Sequence, residues 1–397
     1  MFLAVYLSLH IVPDMLGVLP WLGDGFQDAW RSLWAALMPT LGNAALGIEA
    51  PIMVAATGSG DMLWNYVQVC WYLVGSLVVA VAVAVALRRP AAYERAHAAL
   101  RVLVRYGLSL AMFCYGLAKV CDVQFGFPGP MRLAQSYGDS SPMGLAWTFM
   151  GYSKAYYWFG GLAEIAAGAL LACGVLAQIV AINFCFDVPV KLYSSHLLLL
   201  AIFLVAHDAR RLFAFLVLNR ATAPASLGPE PASRPLRVAR IAGKAAFGLW
   251  MVAIAVQMRG QVTQMGAMVE KGPLFGMWEV LSFSVGGTPR PTSDPERWRS
   301  LFVGEFEYAV VQPMRGESFV FGCTHEVAAG TLTLIDRRGE EEVTRVLQAE
   351  QAEPGLLVLR GPLAEGAVEV SLRRIETDKM LLVTRGFHWV NDFPFNR

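Results

Sequence analysis

Five ionisable side chains lie in or beside apolar segments of the stretch 105–216: Lys119, Glu164, Asp187, Lys191 and His196. A charge at the centre of a bilayer costs about 2.5 to 3.5 kcal/mol on insertion scales, so such residues usually face a partner, a bundle interior or a wet cavity. They are therefore the first candidates for a binding or catalytic role. Lys119 ends one apolar segment and Glu164 lies early in the next, so a hairpin of two spans would bring them within reach as an ion pair.

Each candidate also has a purely structural interpretation. Lys119 can extend its ammonium group to the membrane interface without any partner. Asp187 and Lys191 are separated by Pro189, which favours a broken helix over a regular pair on one helix face. His196 suits a packing histidine and a proton carrier equally well.

Residues 121–154 join two apolar stretches and carry the turn signals FGFPGP and YGDSSPMG. Their prolines disfavour one continuous helix, so we expect irregular backbone with a short amphipathic helix that caps the bundle. Asp139, followed by two serines, is typical of a turn and cap but remains a ligand candidate. We predict one outer polar cluster beneath this cap, formed by Lys119, Glu164, Asp187 and Lys191.

The sequence lacks the motifs of several kinds of chemistry. None of the six histidines has HxxxH or HExxH spacing, so no metal site is predicted. There is no P-loop, no GxGxxG after a strand and no GxSxG. The six cysteines include no CxxC pair, and we expect no disulfide framework. Any chemistry would therefore belong to a bound lipid-soluble cofactor or to a partner.

The composition is that of an integral membrane protein. Of the 397 residues, 56% are hydrophobic and only 16% are charged, with a mean hydropathy of +0.47. A net charge of +1, with no basic patch, argues against a nucleic-acid partner. The lipid bilayer is the expected partner.

Several motifs resemble a known membrane family. The pattern R-x-x-L-S-L-x-x-F-x-x-G-x-x-K from Arg105 to Lys119, followed by WFGGLAEIAAGALLACG, is similar to the first two spans of DoxX-like bacterial proteins. GDSSPMGLAWTFMGYS, DVPVKLYSSHLLL and RGFHWVNDFPFNR resemble an uncharacterised subgroup of that family. The family includes a subunit of a thiosulfate:quinone oxidoreductase, and the membrane half of vitamin K-dependent carboxylases shares a similar bundle. The resemblance implies a four-span bundle and a redox-linked, quinone-associated role.

The distribution of basic residues predicts the topology. Residues 88–105 and 208–244 are rich in Arg and Lys, which places both loops in the cytoplasm. Tyr156–Phe186 is too long for one span, so we expect two short spans broken at Gly174. Residues 20–61, with three tryptophans, suit an interfacial element. Seven crossings then place the N-terminus inside and the C-terminal domain outside an inner membrane, the other spans being 2–19, 62–87, 106–120, 192–205 and 245–258.

The C-terminal part changes from a helical to an alternating pattern at about Met265. Eight or so short strands predict an up-and-down β-barrel or meander. Trp278 on the first strand and Arg385 on the last weakly resemble the lipocalin arrangement, in which a late basic residue covers an early tryptophan. We expect Trp278, Trp298 and Trp389 mainly in the core, since aromatic residues dominate burial, with a ligand pocket as the alternative.

The predicted fold is a membrane α-helical bundle, a DoxX-like four-helix core plus extra spans, followed by an all-β, barrel-like soluble domain. Its parts are residues 1–104 (N-terminal spans and interfacial segment), 105–220 (the four-span bundle), 221–260 (linker and last span) and 261–397 (extracytoplasmic barrel).

Three functions remain open from the sequence. The first is a redox-linked subunit that binds a quinone and works with a redox partner protein. The second is a non-catalytic anchor or scaffold that presents a lipocalin-like domain for binding a ligand or a partner. The third is an enzyme like the membrane half of the carboxylases, with Lys119 as the base.

Overall fold

The chain folds into two compact units. A computed structural model describes residues 1–86, 90–166, 169–223, 233–268, 271–305, 307–326, 329–339, 341–363 and 366–385. The first unit comprises Met1–Gly126 and Ser141–Val262, and the second comprises Phe127–Ser140 and Thr263–Arg397. The segment predicted to cap the bundle thus contributes its central part to the second unit.

The first unit is helical. With helices numbered along the whole chain, it contains α1 Phe2–Gly17, α2 Gly23–Met38, α3 Leu63–Ala86, α4 Pro90–Val120, α6 Pro142–Tyr152, α7 Lys154–Ala166, α8 Ala169–Cys185, α9 Lys191–His207, α10 Ala209–Leu216 and most of α11 Arg234–Met268. A π-helical turn, Pro39–Ala44, continues α2.

Three helical stretches are long and apolar enough to cross a membrane: Leu63–Ala86, Tyr93–Val120 and Arg234–Gln264. Phe2–Gly17, Leu170–Cys185 and Lys191–His207 are shorter apolar helices. The protein is thus a multi-pass membrane protein, in which apolar helices associate with the bilayer. The exposed aliphatic side chains along α3, such as Val78 and Val85, are what a lipid-facing surface requires.

Two local predictions about this unit are wrong. Residues 90–105 are not a loop, because α4 is one continuous helix over the described residues Pro90–Val120. The alanines of this stretch are good helix formers. Gly174 does not break the chain either, since it lies inside α8. Membrane helices tolerate glycine. Residues 167–168, between α7 and α8 in the sequence, lie outside the described part of the chain.

Glycines bring two helices of the bundle into backbone contact. A Cβ on Gly116 of α4 would lie 2.5 Å from the carbonyl oxygen of Gly161 on α7, and a Cβ on Gly161 would lie 2.6 Å from that of Gly116. Small residues permit such close approach between membrane helices. The contact positions the residues one turn further along each helix, which are Lys119 and Glu164.

The second unit is built on a closed antiparallel barrel. Its strands are β1 Gly276–Val285, β2 Thr288–Pro289, β3 Trp298–Val303, β4 Tyr308–Pro313, β5 Phe319–Glu326, β6 Thr331–Asp336, β7 Val343–Glu353, β8 Leu356–Leu363 and β9 Gly366–Arg374. Apart from the two-residue β2, each strand pairs with the next, and β9 pairs with β1 to close the sheet. The sequence predicted about eight strands in an up-and-down barrel or a meander, and the barrel is confirmed.

The barrel interior is filled by side chains at alternating positions. Leu332 and Leu334 on β6, and Leu357 and Leu359 on β8, are fully buried, as the two-residue period of a strand requires. The 127–140 segment belongs to the same unit through helix α5 Pro130–Ala134, where Ala134 packs beside Met277.

The predicted pairing of Trp278 with Arg385 is wrong, because a different arginine lies near the Trp278 ring. Trp278 is fully buried and donates a hydrogen bond from Nε1 to the Leu274 carbonyl at 2.9 Å. Arg374, its register partner on β9, places its guanidinium 5.9 Å from the centre of the Trp278 ring. Arg385 is not on a strand, because the predicted strand around it forms helix α12 Leu381–Thr384, which ends just before Arg385.

The other two tryptophans were expected in the core. Trp298 is buried, with its ring 5.7 Å from that of Phe283. Trp389 lies outside the described residues.

Candidate functional site

A cavity of about 550 Å³ lies inside the helical unit. Helices α1, α2, α3, α4 and α9 form its walls, together with the segment of residues 55–60. Much of the lining is apolar, but polar side chains face it from several helices: His10, Asp14, Trp64, Gln68, Tyr193 and His196. Of these residues, the sequence analysis selected only His196.

Helix α1 carries two polar residues that line this cavity, His10 and Asp14, and a third, Tyr6, that contacts His196. Tyr6, His10 and Asp14 recur every four residues and therefore share one helix face. The sequence analysis did not select His10 or Asp14. Their regular spacing along one face was the signal that could have identified them, because ionisable groups repeated in this way in a span point to a polar interior.

Both ring nitrogens of His196 are engaged. Nδ1 lies 2.7 Å from the carbonyl oxygen of Leu192, so this nitrogen must carry the hydrogen and donate. Nε2 lies 2.8 Å from the hydroxyl oxygen of Tyr6, which donates to this nitrogen when the ring is neutral. The His196 ring is thus held on both sides.

His10 is held by its ring and not by its nitrogens. Its ring stacks on that of His196 at 4.0 Å between centroids and meets the Tyr72 ring edge-on at 5.1 Å. Within the described part of the chain, neither nitrogen makes a hydrogen bond, and Nε2 is shielded from solvent. His10 is therefore fixed in place with its hydrogen-bonding capacity unused.

A row of aromatic side chains connects the cavity to a buried ion pair. Tyr193 and Asp14 share a side-chain hydrogen bond. The Tyr115 ring lies 5.9 Å from that of Tyr193, and the Lys119 ammonium lies 5.8 Å from the centre of the Tyr115 ring. Lys119 Nζ is 2.8 Å from Glu164 Oε2, and both side chains are buried.

Helix α3 supplies two unused donors to the cavity wall. Trp64 Nε1 and Gln68 Nε2 are buried and have no hydrogen-bond partner among the residues that the structure describes. The two residues are one turn apart and share a face of α3. A buried donor without a partner is costly, so a ligand or a water that accepts from these groups would lower the free energy of the site.

Lys191 and Asp187 form a second ion pair, at 2.8 Å, near the start of α9. Lys191 Nζ also lies 3.7 Å from Asp61, whose carboxylate accepts the backbone N–H groups of Lys191 and Leu192 at 2.8 and 2.9 Å. Asp61 therefore caps α9, a helix that lies far from it in the sequence. The acidic side chain suits the positive end of the helix dipole.

The four residues of the predicted polar cluster thus form two ion pairs. Among the described residues, no hydrogen bond or ion pair joins Lys119 and Glu164 to Asp187 and Lys191. Asp139 belongs to the barrel unit, where it ends a short 3₁₀ turn. Its Oδ2 atom lies 3.8 Å from Nη1 of Arg299. The functional roles suggested for these residues remain predictions.

Comparison with known proteins identifies one relative. An alignment of 120 residues is 36% identical to the uncharacterized protein YwoB of Bacillus subtilis (strain 168), and it covers 27% of this chain and 75% of YwoB. The chain belongs to the same family as YwoB. YwoB is described only as uncharacterized, so this relationship assigns no activity. No family model matches the chain, and no solved structure matches it.

Proposed function

We propose that the protein is a DoxX-type, multi-pass inner-membrane subunit that binds a quinone in the cavity of its helical unit. In this proposal a redox partner protein supplies or accepts the electrons, and the barrel lies on the extracytoplasmic side. The observation that carries the proposal is the cavity itself, which combines apolar walls with unused hydrogen-bonding groups.

The size and chemistry of the cavity suit a quinone head group. Its volume of about 550 Å³ falls within the usual range for small-molecule sites. A quinone ring is flat and apolar on its faces and carries carbonyl oxygens at its edge, which only accept hydrogen bonds. Trp64 Nε1 and Gln68 Nε2 are donors without partners on one wall. A carbonyl oxygen at that wall would satisfy either donor.

The charge distribution and the long helices support an extracytoplasmic location for the barrel. The basic segments 88–105 and 208–244 favour the cytoplasm. Helix α11 begins inside the second of these segments, runs towards the barrel in the sequence and is 35 residues long. One crossing by α11 would place the barrel outside.

Quinone binding can be tested on the purified full-length protein. Solvent extraction followed by chromatography should recover a quinone that co-purified with it. A short-chain benzoquinone should quench tryptophan fluorescence, because Trp30 and Trp64 line the cavity. Gln68→Leu should weaken this binding about tenfold, the value of one hydrogen bond near 1.4 kcal/mol, whereas Gln135→Leu should not. A protein without quinone and without saturable quenching would rule out the proposal.

A second function is a non-catalytic scaffold whose barrel binds a partner. The barrel interior is packed with buried side chains, whereas Leu281, Val320 and Val346 are exposed on strands β1, β5 and β7. In this second proposal the outer face of the barrel, and not its packed interior, would meet the partner. The quinone assay separates the two functions, because a scaffold would show no saturable quinone binding.

A further inference from the structure

We propose that Asp14 couples the binding of a quinone to the uptake of a proton. The ligand displaces water from the Asp14 carboxylate, the carboxylate takes up a proton, and the resulting carboxyl group donates a hydrogen bond to a quinone carbonyl. This inference rests on the proposed quinone site and adds to it the residue that takes up the proton. The coupling concerns binding alone and involves no electron transfer.

Asp14 has no counter-charge among its neighbours. Glu164, another acid of the helical unit, is paired with Lys119. Within the part of the chain that the structure describes, Asp14 forms no ion pair, and its hydrogen-bond partner is the neutral hydroxyl of Tyr193. Arg31 lines the same cavity, but its guanidinium is paired with an acid on its own helix. The charge of Asp14 is therefore stabilised by a phenol and by water, and not by a cation.

Quinone binding would remove the water from this carboxylate. Asp14 is exposed within an otherwise apolar helix, and it lines the cavity. Before a ligand binds, water that enters the cavity therefore reaches the carboxylate. A quinone brings apolar surface and carbonyl oxygens, so it has no donor to offer in place of the displaced water. Removing water from a carboxylate that lacks a counter-charge favours the neutral, protonated form.

Protonation of Asp14 also makes the hydrogen-bonding groups of the cavity complementary to a quinone. On α3, Trp64 Nε1 and Gln68 Nε2 are donors without partners among the described residues. A carboxylate on α1 only accepts hydrogen bonds, whereas a protonated carboxyl group can donate one. A quinone carries two carbonyl oxygens, which only accept. The protonated cavity can therefore donate to both oxygens from different helices.

Other titratable groups lie around Asp14 and must be separated from it. They are His10 on α1, Arg31 on α2, Tyr72 on α3, Cys114 and Tyr115 on α4, and Tyr193 and His196 on α9. Of these, the histidines are the side chains that ordinarily change charge near neutral pH. Both nitrogens of His196 are engaged, so His10 is the competing group that a variant must exclude.

The test measures proton uptake on the full-length protein. Duroquinone is a suitable probe, because its tetramethyl ring has no free position to which the Cys114 thiol of the cavity could add. It is titrated by calorimetry at several pH values between about 5 and 8, each in two buffers of different ionisation enthalpy. At the alkaline end we expect uptake to approach about one proton per quinone and the Kd to rise about tenfold per pH unit. A constant Kd without proton uptake would overturn the inference.

Three variants assign the proton to a residue. Asp14→Asn keeps the shape and a donor but cannot take up a proton. It should abolish proton uptake and should bind duroquinone about tenfold more tightly than the wild type at the alkaline end. Asp24→Asn, the same change at an exposed residue of α2 outside the cavity lining, should behave as the wild type. His10→Gln should retain proton uptake. Uptake that persists in Asp14→Asn but is lost in His10→Gln would overturn the inference in favour of His10.

Two further measurements do not depend on the variants. Replacing NaCl by choline chloride at fixed pH should leave the Kd unchanged, and a Kd that depends on Na⁺ would show that a metal cation, and not a proton, neutralises Asp14. Should Asp14→Asn fail to fold, infrared difference spectra of the wild type with isotope-labelled aspartate replace it. Quinone binding should then produce the band of a protonated aspartic acid, and absence of that band would overturn the inference.

The proposed function and this inference fail in different ways. If the wild-type protein binds no duroquinone, the quinone site itself is refuted. If it binds duroquinone with the same Kd at every pH and without proton uptake, the site stands and only the role of Asp14 is refuted.

Discussion

Single buried charges in the helical unit are tolerated because each finds a specific counter-charge or donor. Lys119 and Glu164 are the clearest case, with their nitrogen and oxygen atoms 2.8 Å apart and little of either side chain exposed. The ammonium group also lies 5.9 Å from the Phe125 ring. Such an ion pair adds little stability compared with a pair of apolar side chains. Replacing one of its two partners, however, leaves the other charge buried without compensation.

Glu164→Gln should therefore destabilise the protein by about 3 to 5 kcal/mol. Thermal unfolding in detergent would measure the loss. The exchange Lys119→Glu with Glu164→Lys should recover part of it if the two groups are coupled. Lys154→Met is the matched control, because the pair Lys154–Asp122 is largely exposed and should cost only about 0 to 1 kcal/mol. Strictly additive effects of the two exchanges would show that the pair is not coupled.

The charged residue Asp336 in the barrel unit makes the stability of the folded protein depend on pH. Hydrogen bonds from Arg338 hold the pKa of the Asp336 carboxyl at about 2, with further help from the charges of Arg338 and Arg345. The ordinary pKa of Asp is about 3.9, so the folded state binds the proton more weakly than the unfolded state. This stabilisation is fully present above about pH 4 and is lost as the pH falls towards 2.

Carboxyl-detected NMR of the protein should show Asp336 titrating near pH 2. Arg338→Ala should raise its pKa towards the ordinary value, because Arg338 donates from Nε at 2.8 Å. Arg337→Ala should leave it unchanged, because Arg337 pairs with Glu342. An unchanged Asp336 pKa in Arg338→Ala would contradict the assigned cause.

At the scale of elements, helix α9 is the one on which the cavity most depends. It provides Tyr193 and His196 to the wall, and its first backbone N–H groups are capped from a distant part of the chain by Asp61. The Gly60 N–H donates to the Pro189 carbonyl at 2.7 Å, so the segment before α3 is attached to the start of α9 at two points. The same segment lines the cavity.

Asp61→Ala should cost about 0.5 to 2 kcal/mol, the usual range for the loss of an N-cap. Hydrogen exchange should accelerate at the amides of Lys191 and Leu192, which lose their acceptor. Asp187→Ala is the control, because Asp187 pairs with Lys191 but is largely exposed and accepts neither amide. Equal exchange rates in the Asp61 variant and the wild type would show that the cap does not hold α9.

For the whole molecule, the main prediction is that the two ends of helix α11 lie on opposite sides of the membrane. Helix α11 would be roughly 50 Å long at 1.5 Å per residue, which exceeds the apolar core of about 30 Å. Reporter domains fused after Gly228 and after Arg397 should therefore lie in opposite compartments, with the first in the cytoplasm. Both positions fall outside the described residues and serve only as fusion points. The same compartment for both would remove the crossing by α11.

The sequence alone determined the class of the protein and of its second unit. Hydrophobic composition and long apolar runs identify a membrane protein, because insertion depends on summed transfer free energies and not on detailed packing. Alternating residues such as Leu357 and Leu359 identify barrel strands, because side chains on a strand alternate with a fixed period of two. Lys119 and Glu164 could also be selected from the sequence, since a charge in an apolar segment is conspicuous.

Only the tertiary structure decided which distant residues meet. The register of the closing strand pair places Arg374, and not Arg385, over Trp278. The capping of α9 by Asp61 and the stacking of His10 on His196 join residues more than one hundred positions apart. Local periodicity carries no information about such pairs, because they depend on how whole helices and strands pack. The backbone contact of Gly116 with Gly161 shows the same dependence, since it is what aligns Lys119 with Glu164.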